Sequence, residues 1–385
     1  MTSLRISLDP PHNGANRHAH PFGPGDIVAG KAVLTLKDDE NIEFVMIEFK
    51  GKCRMQEGQG RDEAIHEIPL FSFQKTLFQG PFKMRADVYE YPFSFTFPAS
   101  FSYKVSQFRD GGRMWVGKNG GEFPLPPSCE ADGFAGECQI YYRLTATVPR
   151  TFSNWEDKMS LNYVPYRLEF SPNPESKTHT LREFNHRNYR LTSNGIPRPL
   201  SKTELIKHSL HRSTDTLTIN FTISATVPTR IVLGQTYPVL ITVISKDEGL
   251  EGIEPEFVLK DYTFRLISKT EFRTPGFLTD NYLYADGDFI LSSGPLNVEF
   301  PVNTPKRLLG MFPQRRPAFG FPPPSFASLA VKRSYGLELK VSVVCLGDET
   351  SFKVHWNNVE VHASEMETGM VEAMRTLEGI EKDRW

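Results

Sequence analysis

Between Leu217 and Ala225 the chain reads Leu-Thr-Ile-Asn-Phe-Thr-Ile-Ser-Ala, with apolar and polar residues in strict alternation. The same beat returns at Tyr91–Pro98, Ile140–Val148 and Leu337–Cys345. A period of two puts successive side chains on opposite faces of a strand. One face is then apolar and the other wet, as in antiparallel sheets that meet a core on one side only. The pattern predicts an all-β chain built of sandwiches. A sandwich without a catalytic cluster usually works by presenting surface to a partner.

At 385 residues the chain exceeds what one hydrophobic core holds, so two domains are expected. The net charge of −2 gives no bulk attraction to nucleic acid, so none is expected as a partner. No stretch approaches the roughly 20 apolar residues of a membrane span. The start, Met-Thr-Ser-Leu-Arg-Ile-Ser-Leu-Asp, lacks the basic and apolar regions of a secretory signal, and Thr2 excludes N-myristoylation. The Asp-Arg-Trp end is no prenylation box. Cys53, Cys129, Cys138 and Cys345 are scattered and are expected to be reduced and packed. The expected compartment is the cytoplasm.

Residues 1–170 read as a first sandwich, with strands at Leu4–Leu8, after Pro24-Gly-Asp26, over Ile42–Arg54, Ile65–Leu77, Tyr91–Pro98, Ile140–Val148 and Tyr163–Phe170. Pro92 suits an edge or a strand start. Residues 171–213 carry eight Lys/Arg, three Asp/Glu and four His with few apolar residues, and read as an inter-domain connector. Residues 214–363 read as a second sandwich, with a turn at Asp286-Gly-Asp288 and a Pro-rich insert at 301–324. In the tail, 364–385, Met366, Met370, Met374, Leu377 and Ile380 recur at helical spacing and predict a short amphipathic helix.

Sequences that would carry chemistry do not assemble. His12, His18 and His20 lack a Cys or acidic cluster to complete a metal site. Gly112-Arg-Met-Trp-Val-Gly117-Lys118-Asn119 nearly spells a phosphate-binding loop, but Asn119 replaces the hydroxyl residue and no helix is expected to follow. There is no G-x-S-x-G elbow and no H-E-x-x-H. Cys129 and Cys138 lack the second pair a zinc site needs, and Asp247/Glu248 and Asp286/Asp288 read as turn residues. Nothing points to the two facing carboxylates of a glycosidase. No enzyme activity, cofactor or metal is expected.

Five pieces now fall into a recognisable order: Pro24-Gly-Asp-Ile-Val-Ala-Gly30, Ile47-Glu-Phe-Lys-Gly51, Tyr91–Pro98, Leu125-Pro-Pro-Ser128 and Ile140-Tyr-Tyr-Arg-Leu-Thr-Ala146. In that order they resemble an arrestin N-terminal domain. Ser325–Tyr335 followed by Leu337-Glu-Leu-Lys-Val341 resembles the C-terminal domain. The style is that of the α-arrestins, particularly the fungal arrestin-related trafficking adaptors. The resemblance spans roughly 1–170 and 214–363 and implies two tandem immunoglobulin-like antiparallel β-sandwiches. It also implies a non-enzymatic adaptor that binds cytoplasmic tails of membrane proteins. Such an adaptor links them to endocytic or ubiquitin-dependent trafficking, at the plasma membrane or endosomes.

Three surfaces are candidates for that work. Arg5, Lys50, Lys52 and Arg54, with Arg143, fall on outward positions and would pair with acidic or phosphorylated tails. In arrestins a basic surface that includes the first strand receives such tails, which brings the role to Arg5. Arg182, Arg187, Arg190 and Lys207 in the connector would form a regulatory or lipid-facing surface. Arg315 and Arg316, beside Phe312 and Phe319, suit peripheral contact with a membrane interface. Charges on a wet face also serve simply to solvate it. The Pro-Pro-x-Tyr motif that recruits HECT-type ubiquitin ligases is absent, and Pro323-Pro-Ser-Phe326 is a poor substitute. Direct recruitment of a ligase is therefore not expected: it would be reached through another adaptor or through a motif-bearing relative paired with this chain, or that branch of the function is lost. Two other readings stay open: a retromer-type sorting subunit, and a structural or oligomerising sandwich without cargo.

Overall fold

The computed structural model describes residues 2–10, 12, 21–58, 63–102, 122–133, 136–151, 153–165, 176–191, 197–210, 217–232, 236–245, 257–275, 280–300, 306–311, 322–345 and 348–363. All the regular elements there but one are strands. In the first half they are β1 (Ser3–Leu8), β2 (Ile27–Thr35), β3 (Glu40–Glu57), β4 (Ala64–Met84), β5 (Val88–Thr96), β6 (Ser100–Ser102), β7 (Glu122–Pro124), β8 (Cys129–Gly133), β9 (Gly136–Val148) and β10 (Trp155–Leu161). Then come β11 (Ser176–Leu191), β12 (Pro197–Pro199), α1 (Lys202–Leu210), β13 (Leu217–Pro228), β14 (Arg230–Val232) and β15 (Thr236–Ser245). The remainder are β16 (Phe257–Thr274), β17 (Asn281–Phe300), β18 (Lys306–Met311), β19 (Phe326–Ala327), β20 (Val331–Cys345) and β21 (Asp348–His362).

The first sandwich packs a sheet ordered β1-β2-β5 on one ordered β10-β9-β3-β4, with β8 beside β9. The alternation decides which side goes in. Ile47, Phe49, Cys53 and Met55 of β3 are buried, while Glu48, Lys50, Lys52 and Arg54 between them are only half-buried. They meet Leu4, Ile6, Val28, Leu34 and Phe93 of the facing sheet in one core. Phe93 and Phe97 are buried and Phe95 packs against the same cluster, so the three rings share a face. β5 is an edge strand, which accommodates Pro92 without a lost ladder bond. At Gly30 a Cβ would stand 2.2 Å from the Ser7 carbonyl oxygen, so the close approach of β1 to β2 requires glycine.

The second sandwich packs a sheet ordered β12-β11-β13-β15-β18 on one ordered β14-β21-β20-β16-β17, with β19 beside β20. Phe221, Ile223, Val239 and Ile241 from one sheet meet Phe264, Leu266, Leu337, Leu339 and Trp356 from the other.

Two boundaries differ from the sequence reading. The expected connector is not a plain linker, because β11 pairs with β13 from Ser176↔Pro228 to Tyr189↔Leu217 and so belongs to the second sandwich. Its polar composition hides a strand whose place is set by its neighbour. The expected turn at Asp286-Gly-Asp288 is also absent. β17 runs straight through it, pairing Asp286 with Lys269 and Asp288 with Ile267, and Arg265 reaches the Asp288 carboxylate at 3.4 Å. The acidic pair sits on the wet side of a strand instead of at a bend. Tyr163 forms a single bridge with Phe22, and the rest of the expected Tyr163–Phe170 strand from 166 onward lies outside the described residues. The tail helix, the phosphate-loop look-alike at 112–119 and most of the Pro-rich insert lie outside them too. The described part of that insert contributes β18, which pairs with β15. All four cysteines are buried and none is in a disulfide, as expected.

Phe97 anchors the first core, with ring centroids 4.8 Å from Phe49, 4.9 Å from Tyr163 and 5.4 Å from Tyr142. Phe97→Ala is expected to cost about 3–5 kcal/mol through a cavity that β-sheet walls cannot close, read as a fall in the denaturant midpoint. Phe73→Ala, at a ring 41% exposed, should cost far less.

Candidate functional site: interaction surfaces

The outward strip of the first sandwich gathers most of the predicted cations. Lys50 lies opposite Arg143 on β9, and Lys52 opposite Tyr141. Arg143 stacks over the Tyr141 ring at 4.8 Å. The same strip brings carboxylates along with them. Lys50 bonds Glu48 at 2.7 Å, Lys52 bonds Glu67 at 2.7 Å, and Arg54 lies 3.5 Å from Glu137. The hydrogen bond that Lys52 donates to Glu67 outweighs the opposing effect of burial and raises the Lys52 pKa. At Glu48 burial works to raise the carboxyl pKa, but hydrogen bonds from Lys50 and Ser72 prevail and hold it below the usual range. Lys50, Lys52 and Arg54 are therefore neutralised in pairs, each worth little to stability at such exposure, while Arg143 is held by the Tyr141 ring.

Arg5 is not among them. It sits on β1 in the opposite sheet, exposed between the buried Leu4 and Ile6. Among the described residues no carboxylate pairs with it. β1 is an edge strand, and its Ile6 N–H donates to Asp157 Oδ2 of β10 at 2.7 Å, which blunts that edge.

The connector surface divides. Arg182, Arg187 and Arg190 lie on β11, whose side chains are outside the described set, and so do Arg315 and Arg316 altogether. Lys207 is exposed on α1. That helix begins with a reciprocal cap: Ser201 N–H donates to Glu204 Oε2 at 2.9 Å and Glu204 N–H to Ser201 Oγ at 3.3 Å. Leu205 and Ile206 on it are exposed. Among the described residues no helix is long and apolar enough to cross a membrane.

The joint between the sandwiches was missed from sequence. Phe272, Ala285, Leu329, Ala330 and Val331 of the second half enter the core of the first. Glu57 at the end of β3 accepts from Thr274 Oγ1 at 2.6 Å and from Asn281 Nδ2 at 3.0 Å. A Cβ at Gly133 would stand 2.6 Å from the Tyr284 carbonyl oxygen, so β8 and β17 touch backbone to backbone. Within this joint Arg333 is buried, only 6% exposed. It donates to Tyr335 Oη at 2.8 Å, Ser268 Oγ at 3.1 Å, Thr270 Oγ1 at 3.2 Å and Cys129 Sγ at 3.4 Å. Tyr335 Oη in turn donates to the Pro323 carbonyl. Among the described residues Arg333 has no carboxylate partner, although buried charges normally do. Burial pushes the Cys129 thiol up despite the guanidinium beside it, and pushes Tyr335 far up, so both stay neutral acceptors. One signal could have found the site: Val331, Arg333 and Tyr335 share a strand face, and an arginine between two core residues must be buried or break the pattern.

No family model matches the chain, and no curated protein matches it.

Arg333→Ala leaves four acceptors and a void, and should cost about 2–4 kcal/mol in denaturant unfolding of the full chain. Arg333→Met removes the charge but fills the space, and should stay within about 1 kcal/mol of wild type. An equal loss for both would mean that the charge itself holds the joint.

Proposed function

We propose that this chain is an arrestin-like adaptor, which grips cytoplasmic segments of membrane proteins by surface recognition and links them to endocytic or ubiquitin-dependent trafficking. The observation that carries the reading is the placement of Arg5: an exposed cation, without a carboxylate partner among the described residues, on the edge strand of the first of two joined sandwiches. An acidic or phosphorylated segment passing over β1 would gain this cation without displacing a carboxylate from it. The order of the five sequence pieces supports the same reading. The Lys50–Lys52–Arg54 strip is a weaker docking place, since an incoming phosphate must first displace Glu48, Glu67 and Glu137. Recruitment of a ligase proceeds through another adaptor, in keeping with the missing Pro-Pro-x-Tyr motif.

Proximity labelling in the native cell tests this. Arg5→Glu should remove membrane-protein neighbours from the labelled set, while Lys52→Glu should change them little. A set unchanged by Arg5→Glu would refute the edge-strand mechanism, and recovery of a coat subunit in place of membrane proteins would establish the sorting-subunit reading instead.

A further inference from the structure

Two edges of the first sandwich are blunted and a third is not. β1 is held by Asp157, and β5 carries Pro92. β4 ends the larger sheet, and among the described residues it pairs with β3 alone. Along it Ser72, Phe73, Gln74, Lys75 and Thr76 are all exposed, on both faces of the strand. Phe73 and Lys75 stand opposite the buried Phe49 and Ile47, so they occupy the core side where the facing sheet no longer covers it. Pro69, which has no N–H, precedes this run, and beyond it the ladder shifts register opposite Val45 and Met46. The open stretch is therefore short and bounded at both ends.

That stretch is complementary to itself. When two copies lie antiparallel about a two-fold axis at Gln74, Gln74 opposes Gln74, Ser72 opposes Thr76, and Phe73 opposes Lys75. An amide pair, a hydroxyl pair and a cation beside a ring are all favourable across strands. A lysine ordinarily guards an edge against pairing. Here Lys75 has no carboxylate partner among the described residues, and the ring it would meet is prepared. Phe73 is 41% exposed and is held by stacking on Phe71, with centroids 5.2 Å apart. Other registers fit worse. An axis at Lys75 opposes two ammonium groups, and an axis at Phe73 carries the ladder onto the half-buried Phe71.

We infer that the partner of this edge is a second copy of the chain, paired with it across Ser72–Thr76 so that the two larger sheets become one. The contact is smaller than the roughly 1,200 Å² of a stable interface, so the dimer is reversible and depends on concentration. β1 lies on the flank next to β10 and β4 on the flank next to β5. Both Arg5 edges thus stay uncovered, and a dimer holds two segments at once. The contact itself does not depend on the reading of Arg5.

Sedimentation of the full chain over roughly 1–200 μM tests the inference, with a monomer expected at the low end and a dimer growing in at the high end. Gln74→Lys puts two like charges on the axis and should weaken association about tenfold. Gln74→Cys, treated with a copper oxidant, should give a covalent dimer, because the residue meets itself there. Lys158→Cys, at an exposed position of β10, should not. Gln74 is exposed, so an unchanged unfolding midpoint at low concentration verifies that its variants fold. A monomer at every concentration, a dimer that Gln74→Lys leaves intact, or equal cross-linking from the two cysteines would each overturn the proposal.

Discussion

A strand with one greasy face cannot stand alone. Each sheet here has to bury that face against another, and the pairing of sheets fixes everything that follows. Ile47, Phe49 and Met55 go inward only because Leu4, Ile6 and Val28 close over them, and this sends Lys50, Lys52 and Arg54 outward together. Slipping β3 by one residue would exchange the two sets, so burial of the apolar row also specifies the register of the charged one. Surface chemistry in this molecule is a by-product of core packing.

That coupling explains which parts could be read from the chain. The alternating segments became strands, Pro92 went to an edge, and the three rings of Tyr91–Pro98 turned to one face. These are local signals. β11 escaped because Arg182, Glu183, Asn185 and His186 break up its apolar residues, and its membership depends on β13 some forty residues away. β17 escaped because Asp286-Gly-Asp288 has the composition of a turn, while cross-strand partners keep it extended. Arg333 was hidden for another reason: it obeys the inward period but violates the rule that inward positions are apolar.

The fate of the candidate cations makes the same point in electrostatics. Outward placement of Lys50, Lys52 and Arg54 was legible, but Glu67 arrives from β4 and Glu137 from β9. Only the register of three strands reveals that the basic residues are compensated. Arg5, which the sequence places in the same group, stands on the other sheet and keeps its charge available. Counting cations along a chain thus overstates a basic surface whenever neighbouring strands supply acids. A single uncompensated residue then carries more weight than a cluster.

The hairpin of β16 and β17 ends in two different cores: Phe257 and Leu259 lie in that of the second sandwich, Phe272 and Ala285 in that of the first. At about 3.3 Å per residue, its 18- and 20-residue arms form a continuous beam roughly 60 Å long. Swivelling one half against the other would require snapping ladder bonds in the middle of that beam. Two partners held at opposite ends of the molecule would accordingly be kept a set span apart, with the protein acting as a ruler between them.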